Sequence, residues 1–386
     1  MVTRRTVLAS GVAGVSAVAG CAGGSSPANA DDRGGADAGG TDGDAGNGTA
    51  ARIGLVGDLM LGRSVADRWA DADDPTAVWG STLPRLRDLD ALVGNLECCV
   101  SDRGDRWPDK TYYFRSPPSF AVPTLEAAGA SFVSLANNHV LDYREPALRD
   151  TRRHLADAGI ARAGAGENAA GALAPATFEA GDLTVAAFGL TDQSAAFAAT
   201  DADPGTAFAR LDPGVRETRA LVGDALDRVA EADPDLVVAS LHWGANWETE
   251  PRAVHERFGR WLVELGVDVV HGHSAHVLQG VEVYDGRPIV YDAGDFVDDY
   301  VSYRDREGVR NKRSALFELV VRDGDLDALD VVPTAVADEA ATLADGGVAR
   351  WVRETVAARS APYDTPVDGP DGDRPDGRLT VPLGDG

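Results

Sequence analysis

Five short stretches of this chain carry side chains able to bind a cation or move a proton. They are Gly57-Asp58-Leu59-Met60, Gly94-Asn95-Leu96-Glu97, Asn137-Asn138-His139, His242-Trp243-Gly244 and His271-Gly272-His273-Ser274-Ala275-His276. The third is followed by Asp142, placed to orient His139. Each stretch begins where an apolar run ends. The chain has seven histidines, and five of them lie in these stretches. His154 and His255 fall instead in helical patterns, where packing or solvation accounts for them. Five imidazoles gathered at one kind of position are hard to explain as packing. Carboxylate, Asn and imidazole donors together suit a hard or borderline divalent ion such as Mn²⁺, Zn²⁺ or Fe. Two such ions side by side clamp the attacking and leaving oxygens of a hydrolysis. The plain structural account of Asn137 and Asn138 is a turn that caps the following helix.

The runs that must position these residues are 53–56, 91–93, 132–136, 183–190, 236–241 and 267–270, all of strand length. Helical patterns at 146–158, 214–232 and 253–265 separate many of them. Strands alternating with helices predict a layered α/β fold with largely parallel strands. In such folds, ligands bind at the carboxyl ends of the strands, where these polar residues lie. From about residue 279 the pattern turns antiparallel. Segments 281–284, 289–291, 315–321 and 328–332 read as strands, with turns at Asp285-Gly286 and Asp323-Gly324. A last helix is expected at 336–358.

The 386 residues are 44% hydrophobic, enough for a sizeable core, and carry a formal net charge of −26. Lysine occurs only at Lys110 and Lys312. Acidic excess with almost no lysine points to a halophilic protein, working where salt screens charges over a few ångströms. Such a surface repels nucleic acid, so no nucleic-acid partner is expected. Of three cysteines, Cys98 and Cys99 are adjacent and unsuited to an ordinary disulfide. Arg4-Arg5 precede a short stretch of small apolar residues at 7–20, the pattern of a twin-arginine export signal. Val18-Ala19-Gly20-Cys21 resembles a lipobox, which makes Cys21 the lipidation site. The expected organisation is a signal at 1–21, a flexible linker at 22–50, a folded domain at 51–360 and a disordered acidic tail at 361–386. The expected location is the outer face of the cell membrane, held there by the N-terminal lipid.

In their order, the stretches GDLMLGR (57–63), GNLE (94–97), LANNHVLDY (135–143), GAG (164–166), LHWG (241–244), GHSAHVLQGVEVYDGRPIVYDAGDF (272–296) and VDDY (297–300) resemble the CapA family. These are capsule and poly-gamma-glutamate biosynthesis proteins related to calcineurin-like metallophosphatases. The resemblance implies a four-layer α-β-β-α metallophosphatase-like sandwich with a metal-type site at the strand ends. It implies metal ligation by Asp58, Glu97, Asn138, His242, His273 and His276, with Glu97 as the bridging carboxylate. It gives His139 the role of general acid to a leaving group. The family's partner His two residues after the first Asp is replaced by Met60, and Asp295 stands where an Asn is usual. The implied partner is an acidic envelope polymer such as poly-gamma-glutamate. Lys110, Tyr112, Tyr113 and Arg115 are candidates to contact it, with Asn95 beside the site and Trp243 and Trp247 as walls. A phosphoesterase and a non-catalytic polymer-binding or export component are the competing readings.

Overall fold

The computed structural model describes residues 50–299, 309–369 and 377–384. The signal with Cys21, the linker through residue 49 and parts of the acidic tail lie outside the described residues. The principal strands are β1 (Ala50–Leu59), β2 (Ala91–Leu96), β3 (Ala130–Ser134), β4 (Ala161–Ala163), β5 (Ala176–Ala180), β6 (Leu183–Thr191), β7 (Leu236–His242), β8 (Val269–His273), β9 (Val281–Tyr284), β10 (Arg287–Val290), β11 (Asp295–Val297), β12 (Arg313–Arg322), β13 (Asp325–Ala337), β14 (Ala340–Leu343) and β15 (Leu379–Pro382). The principal helices are α1 (Arg63–Trp69), α2 (Pro118–Ala127), α3 (Arg144–Asp157), α4 (Arg216–Ala230), α5 (Ala253–Glu264) and α6 (Gly346–Ser360).

Two sheets stack face to face. The first runs β14-β13-β12-β1-β2-β3-β4, with β11 beside the end of β1 and β15 beside β13. Its β1, β2, β3 and β4 are mutually parallel, while β12, β13 and β14 are antiparallel. The second runs β9-β10-β8-β7-β6-β5, parallel from β10 to β6 and antiparallel at both edges.

Side chains alternate between the two faces of a strand, and here the alternation separates three cores. Ile53, Leu55, Ala91, Val93 and Phe132 meet Val185, Ala187, Val238 and Val269 between the sheets. The intervening residues Leu92, Leu96 and Val133 pack outward with Val65, Phe120, Leu125, Leu148 and Leu155 of α1, α2 and α3. On the other side Ala186, Phe188, Ala239 and Leu241 pack with Val222 and Val229 of α4 and Phe258 and Leu262 of α5. The result is the expected four-layer α-β-β-α sandwich. Cys98 and Cys99 are free and buried.

Two expectations need correction. Residues 336–343 are not helical: β13 and β14 form a hairpin through Asp338 and Glu339, both with positive φ (52° and 61°). Two consecutive left-handed residues make the tight hairpin turn whose twist matches the strands, and the helix begins only at Gly346. The tail does not lack structure throughout. Leu379–Pro382 adds a strand to β13, with Leu379 and Val381 buried in the inter-sheet core.

The same alternation brings His271 and His273 of β8 onto the inter-sheet face. His271 reaches across, its Nε2 lying 2.9 Å from the Val56 carbonyl of β1. A carbonyl only accepts, so Nε2 carries a proton. Burial pushes its pKa down to about 4. The unfolded chain therefore takes up this proton first as pH falls, and the contribution of His271 to stability is lost between pH 6.5 and 4. We expect the stability advantage of the wild type over His271→Asn to shrink by up to about 3 kcal/mol across that window. Urea unfolding of both proteins over a pH series checks this; a constant difference would refute it. Gly57 sets a second constraint, because a Cβ there would lie 1.8 Å from the Gly294 carbonyl oxygen. Gly57→Ala should cost about 1–3 kcal/mol, read as a lowered urea midpoint.

Candidate metal centre

The parallel strands of both sheets end on the same edge, and the inter-sheet face there changes from apolar to polar. In β7 the inward residues are Leu236, Val238, Ser240 and His242; in β8 they are Val269, His271 and His273. In β2 the inward positions Ala91 and Val93 continue to Asn95, with Glu97 two further on. Asp58 is the exception to simple alternation, since Val56 packs outward with the helices. A register irregularity between Leu55 and Asp58 turns the next carboxylate inward, a common use of a strand irregularity beside a site.

These groups converge on Asp58. Its Oδ1 accepts a 2.7 Å hydrogen bond from Asn95 Nδ2 and lies 3.5 Å from His273 Nδ1 and 4.0 Å from His242 Nδ1. Its Oδ2 accepts from the Ser274 amide at 3.2 Å and lies 3.2 Å from His276 Nδ1. His276 also meets Asp295 Oδ1 at 2.8 Å. Asn138 Oδ1 is 3.1 Å from His242 Nε2, and Glu97 Oε1 is 3.7 Å from the same nitrogen. Two three-residue donor sets result, Asp58-His242-His273 and Asp58-Glu97-His276, which share Asp58. Met60 supplies no ligand and is buried in the helix-side core; His276, at φ 58°, supplies the imidazole on that side.

The donor set fits a divalent cation by a direct observation. Glu97 is fully buried, yet among the described residues neither carboxylate oxygen has a hydrogen-bond donor, and Asp295 Oδ2 has none either. Buried carboxylate oxygens without partners are costly, and a cation satisfies them. The protein groups alone set up opposed charge states. Burial pushes Asp58 up, but the imidazoles of His276, His273 and His242 outweigh it and hold the carboxyl well below the usual range. Burial and the Asp58 charge push Glu97 up. Burial lowers His242 to about 3 and His273 well below the ordinary value. Neutral imidazoles around one ionised carboxylate are the protonation state that metal ligation needs.

His139 lies at the edge of this cluster. Its Nδ1 is 2.7 Å from Asp142 Oδ2, its Nε2 is 3.8 Å from Glu97 Oε1, and the Phe114 ring packs edge-on against it at 4.4 Å. Burial lowers its pKa, with Asp142 acting in the opposite direction. Asp142 is itself fixed by the Phe114 amide at 2.6 Å and by Lys110. Asn137 shapes the turn: its Oδ1 accepts from the amides of His139 and Val140, and its Nδ2 donates to Asn95 Oδ1 and the Leu96 carbonyl.

The four residues expected to contact substrate are placed as follows. Asn95 is fully buried and orients Asp58. Lys110 braces the Asn138 carbonyl and Asp142. Arg115 lines a separate groove. Trp243 is 2% exposed, within the core under α5, where it stacks on His255 and donates to the Tyr291 carbonyl. Trp247 is the tryptophan near the cluster, 5.6 Å from the His276 ring. Sequence reasoning missed Asp292, whose carboxylate accepts from the Ala275 and Gly294 amides and so holds the loop bearing His276. Its signal was the repeated aspartate in Asp292-Ala293-Gly294-Asp295.

Comparison with known proteins follows this geometry. Probable polyglutamine synthesis accessory proteins from two Mycobacterium tuberculosis strains are 32% identical over 286 residues, 72% of this chain and 75% of theirs. The capsule biosynthesis protein CapA of Bacillus anthracis is 31% identical over 282 residues, 72% of this chain and 66% of its own. The PGA biosynthesis protein CapA of Bacillus subtilis is 28% identical over 285 residues, 72% and 70% respectively. Residues 52–300 match the model of the bacterial capsule synthesis protein PGA_cap, and the chain belongs to that family.

Proposed function

We propose that this protein is a divalent-cation-dependent hydrolase or transferase acting on an acidic envelope polymer of the poly-gamma-glutamate type. We further propose that it is exported by the twin-arginine route, lipid-anchored through Cys21 on the outer face of the membrane, and adapted to high salt. The observation that carries the catalytic reading is Glu97, a fully buried carboxylate grouped with Asp58 and His276, both of whose oxygens lack a hydrogen-bond donor among the described residues. Asp58, Glu97, Asn138, His242, His273 and His276 would hold the cation, of the Mn, Zn or Fe kind by donor chemistry. Bound there, such a cation would supply Lewis acidity toward a substrate carbonyl and a nucleophilic water.

The remaining chemistry belongs to the chain's own groups. Asp142 accepts the His139 Nδ1 proton, which fixes the tautomer and leaves Nε2 facing the cluster. When His139 is protonated, Nε2 donates its proton to the departing amine as the carbon–nitrogen bond breaks; a water adds its oxygen to the carbon, and the proton that water sheds restores the imidazolium. Lys110 holds Asp142 in place, and Phe114 shields the imidazole from bulk water. The competing reading, a non-catalytic polymer-binding component, draws on Met60, which stands in the helix-side core where a further ligand would be expected.

Metal analysis of protein purified in high salt tests the centre. Stoichiometric metal is expected in the wild type and its loss in His242→Ala/His273→Ala; metal-free wild type after reconstitution would refute the proposal. His139→Ala should keep its metal and lose about 10²–10⁴-fold in polymer cleavage. In Asp142→Asn the imidazolium loses its anionic neighbour, so the alkaline limb of the kcat profile should move to lower pH. An unmoved limb would remove His139 from the acid role.

A further inference from the structure

A groove of about 950 Å³ is lined by Tyr113 and Arg115, the chain neighbours of Phe114. The Phe114 ring that packs on His139 also lies 5.1 Å from the guanidinium of Arg63, which lines the groove. Several arginines of the domain pair with carboxylates. Arg63 pairs with Asp299 at 2.8 Å, Arg103 with Asp150, and Arg149 with Glu167 at 2.8 Å.

Arg106 and Arg115 do not follow this pattern. Both line the groove, and among the described residues neither lies within ion-pairing distance of a carboxylate. Each lies over an aromatic face instead. Arg115 is 4.0 Å from the centre of the Tyr143 ring and Arg106 is 4.9 Å from that of Tyr113. The Tyr113 and Tyr143 rings lie 6.1 Å apart, edge to face, so one aromatic pair carries both guanidinium groups on the groove wall. Asp67, Asp71 and Asp102 line the same groove, but they are exposed and pair with neither guanidinium. The arrangement is built into the backbone. Gly104 sits at φ 95°, and a Cβ there would lie 2.1 Å from the Tyr143 carbonyl oxygen. Only glycine lets the loop carrying Arg106 press this closely against Tyr143.

A guanidinium held flat against an aromatic ring keeps its fork of donors free for a planar acceptor. Paired forks match carboxylates, which they bind with two parallel hydrogen bonds. We propose that this groove is a subsite for the carboxylates of an anionic chain, bound by Arg106 and Arg115, from which the chain extends past Phe114 to the metal centre. This rests on the reading of the substrate as an acidic polymer, and names where that polymer is gripped.

The test is calorimetric binding of a defined poly-gamma-glutamate oligomer to the full chain, with and without His242→Ala/His273→Ala. Arg106→Gln and Arg115→Gln should each weaken the oligomer about tenfold or more, with metal content and unfolding midpoint unchanged. The loss should persist in the His242→Ala/His273→Ala background. Equal affinity of the wild type and the double arginine variant overturns the subsite and leaves the proposed function standing. So does undetectable binding to the wild type while the metal-loaded protein still cuts the polymer. Loss of affinity in the arginine variants, together with a metal-loaded wild type that never cuts the oligomer, supports the subsite and refutes hydrolysis. Polyphosphate of matched length binding as tightly as the oligomer overturns the choice of carboxylate.

Discussion

The edge of the sandwich is organised around the buried negative charge of Asp58. Removing an ionised carboxylate from water costs several kcal/mol unless partners compensate. Asp58 collects those partners from separated parts of the chain: Asn95 at the end of β2, His242 at the end of β7, His273 at the end of β8, and Ser274 and His276 in the loop that follows. None of these groups is near Asp58 in sequence, so the cluster exists only when the two sheets are stacked. The His271 bond to the Val56 carbonyl lies one step deeper between the same sheets. It fixes how closely β8 approaches β1, and with it the distance between the imidazoles and the carboxylate.

Much of this was legible because parallel strands place their chemistry at one end. The apolar runs mark the strands, and the polar triplets after them mark the edge. Period-two alternation then carries His242, His273, Asn95 and Glu97 to the inner face from the inward Val238, Val269 and Val93. Alternation fails for Asp58, where the irregularity after Leu55 reverses the face. No count along the sequence shows that reversal. The histidine count also overreached by one, since His271 shares the face of His273 but lies deeper, where it ties sheet to sheet.

Other features depended on partners distant in sequence. Residues 336–343 have a helix-like composition, yet β13 offers them a ladder and Asp338-Glu339 the turn. Leu379–Pro382 is a four-residue strand amid Gly, Asp and Pro, and only the open position beside β13 makes it one. Trp243 looked like a wall residue beside His242. Alternation turns it to the opposite face, and its indole is satisfied by the Tyr291 carbonyl inside the core. Asp292 was hidden because its partners are backbone amides 17 residues earlier, at Ala275, and 2 residues later, at Gly294.

The direction of β1 has a spatial consequence. Ala50 begins the strand and Asp58 lies near its far end. Eight steps of about 3.3 Å separate the two by roughly 26 Å. Whatever precedes Ala50 thus joins the domain at the pole opposite the imidazoles. The two ends of β1 thus have separate duties: one receives the preceding chain, the other carries the carboxylate on which the ligand cluster converges.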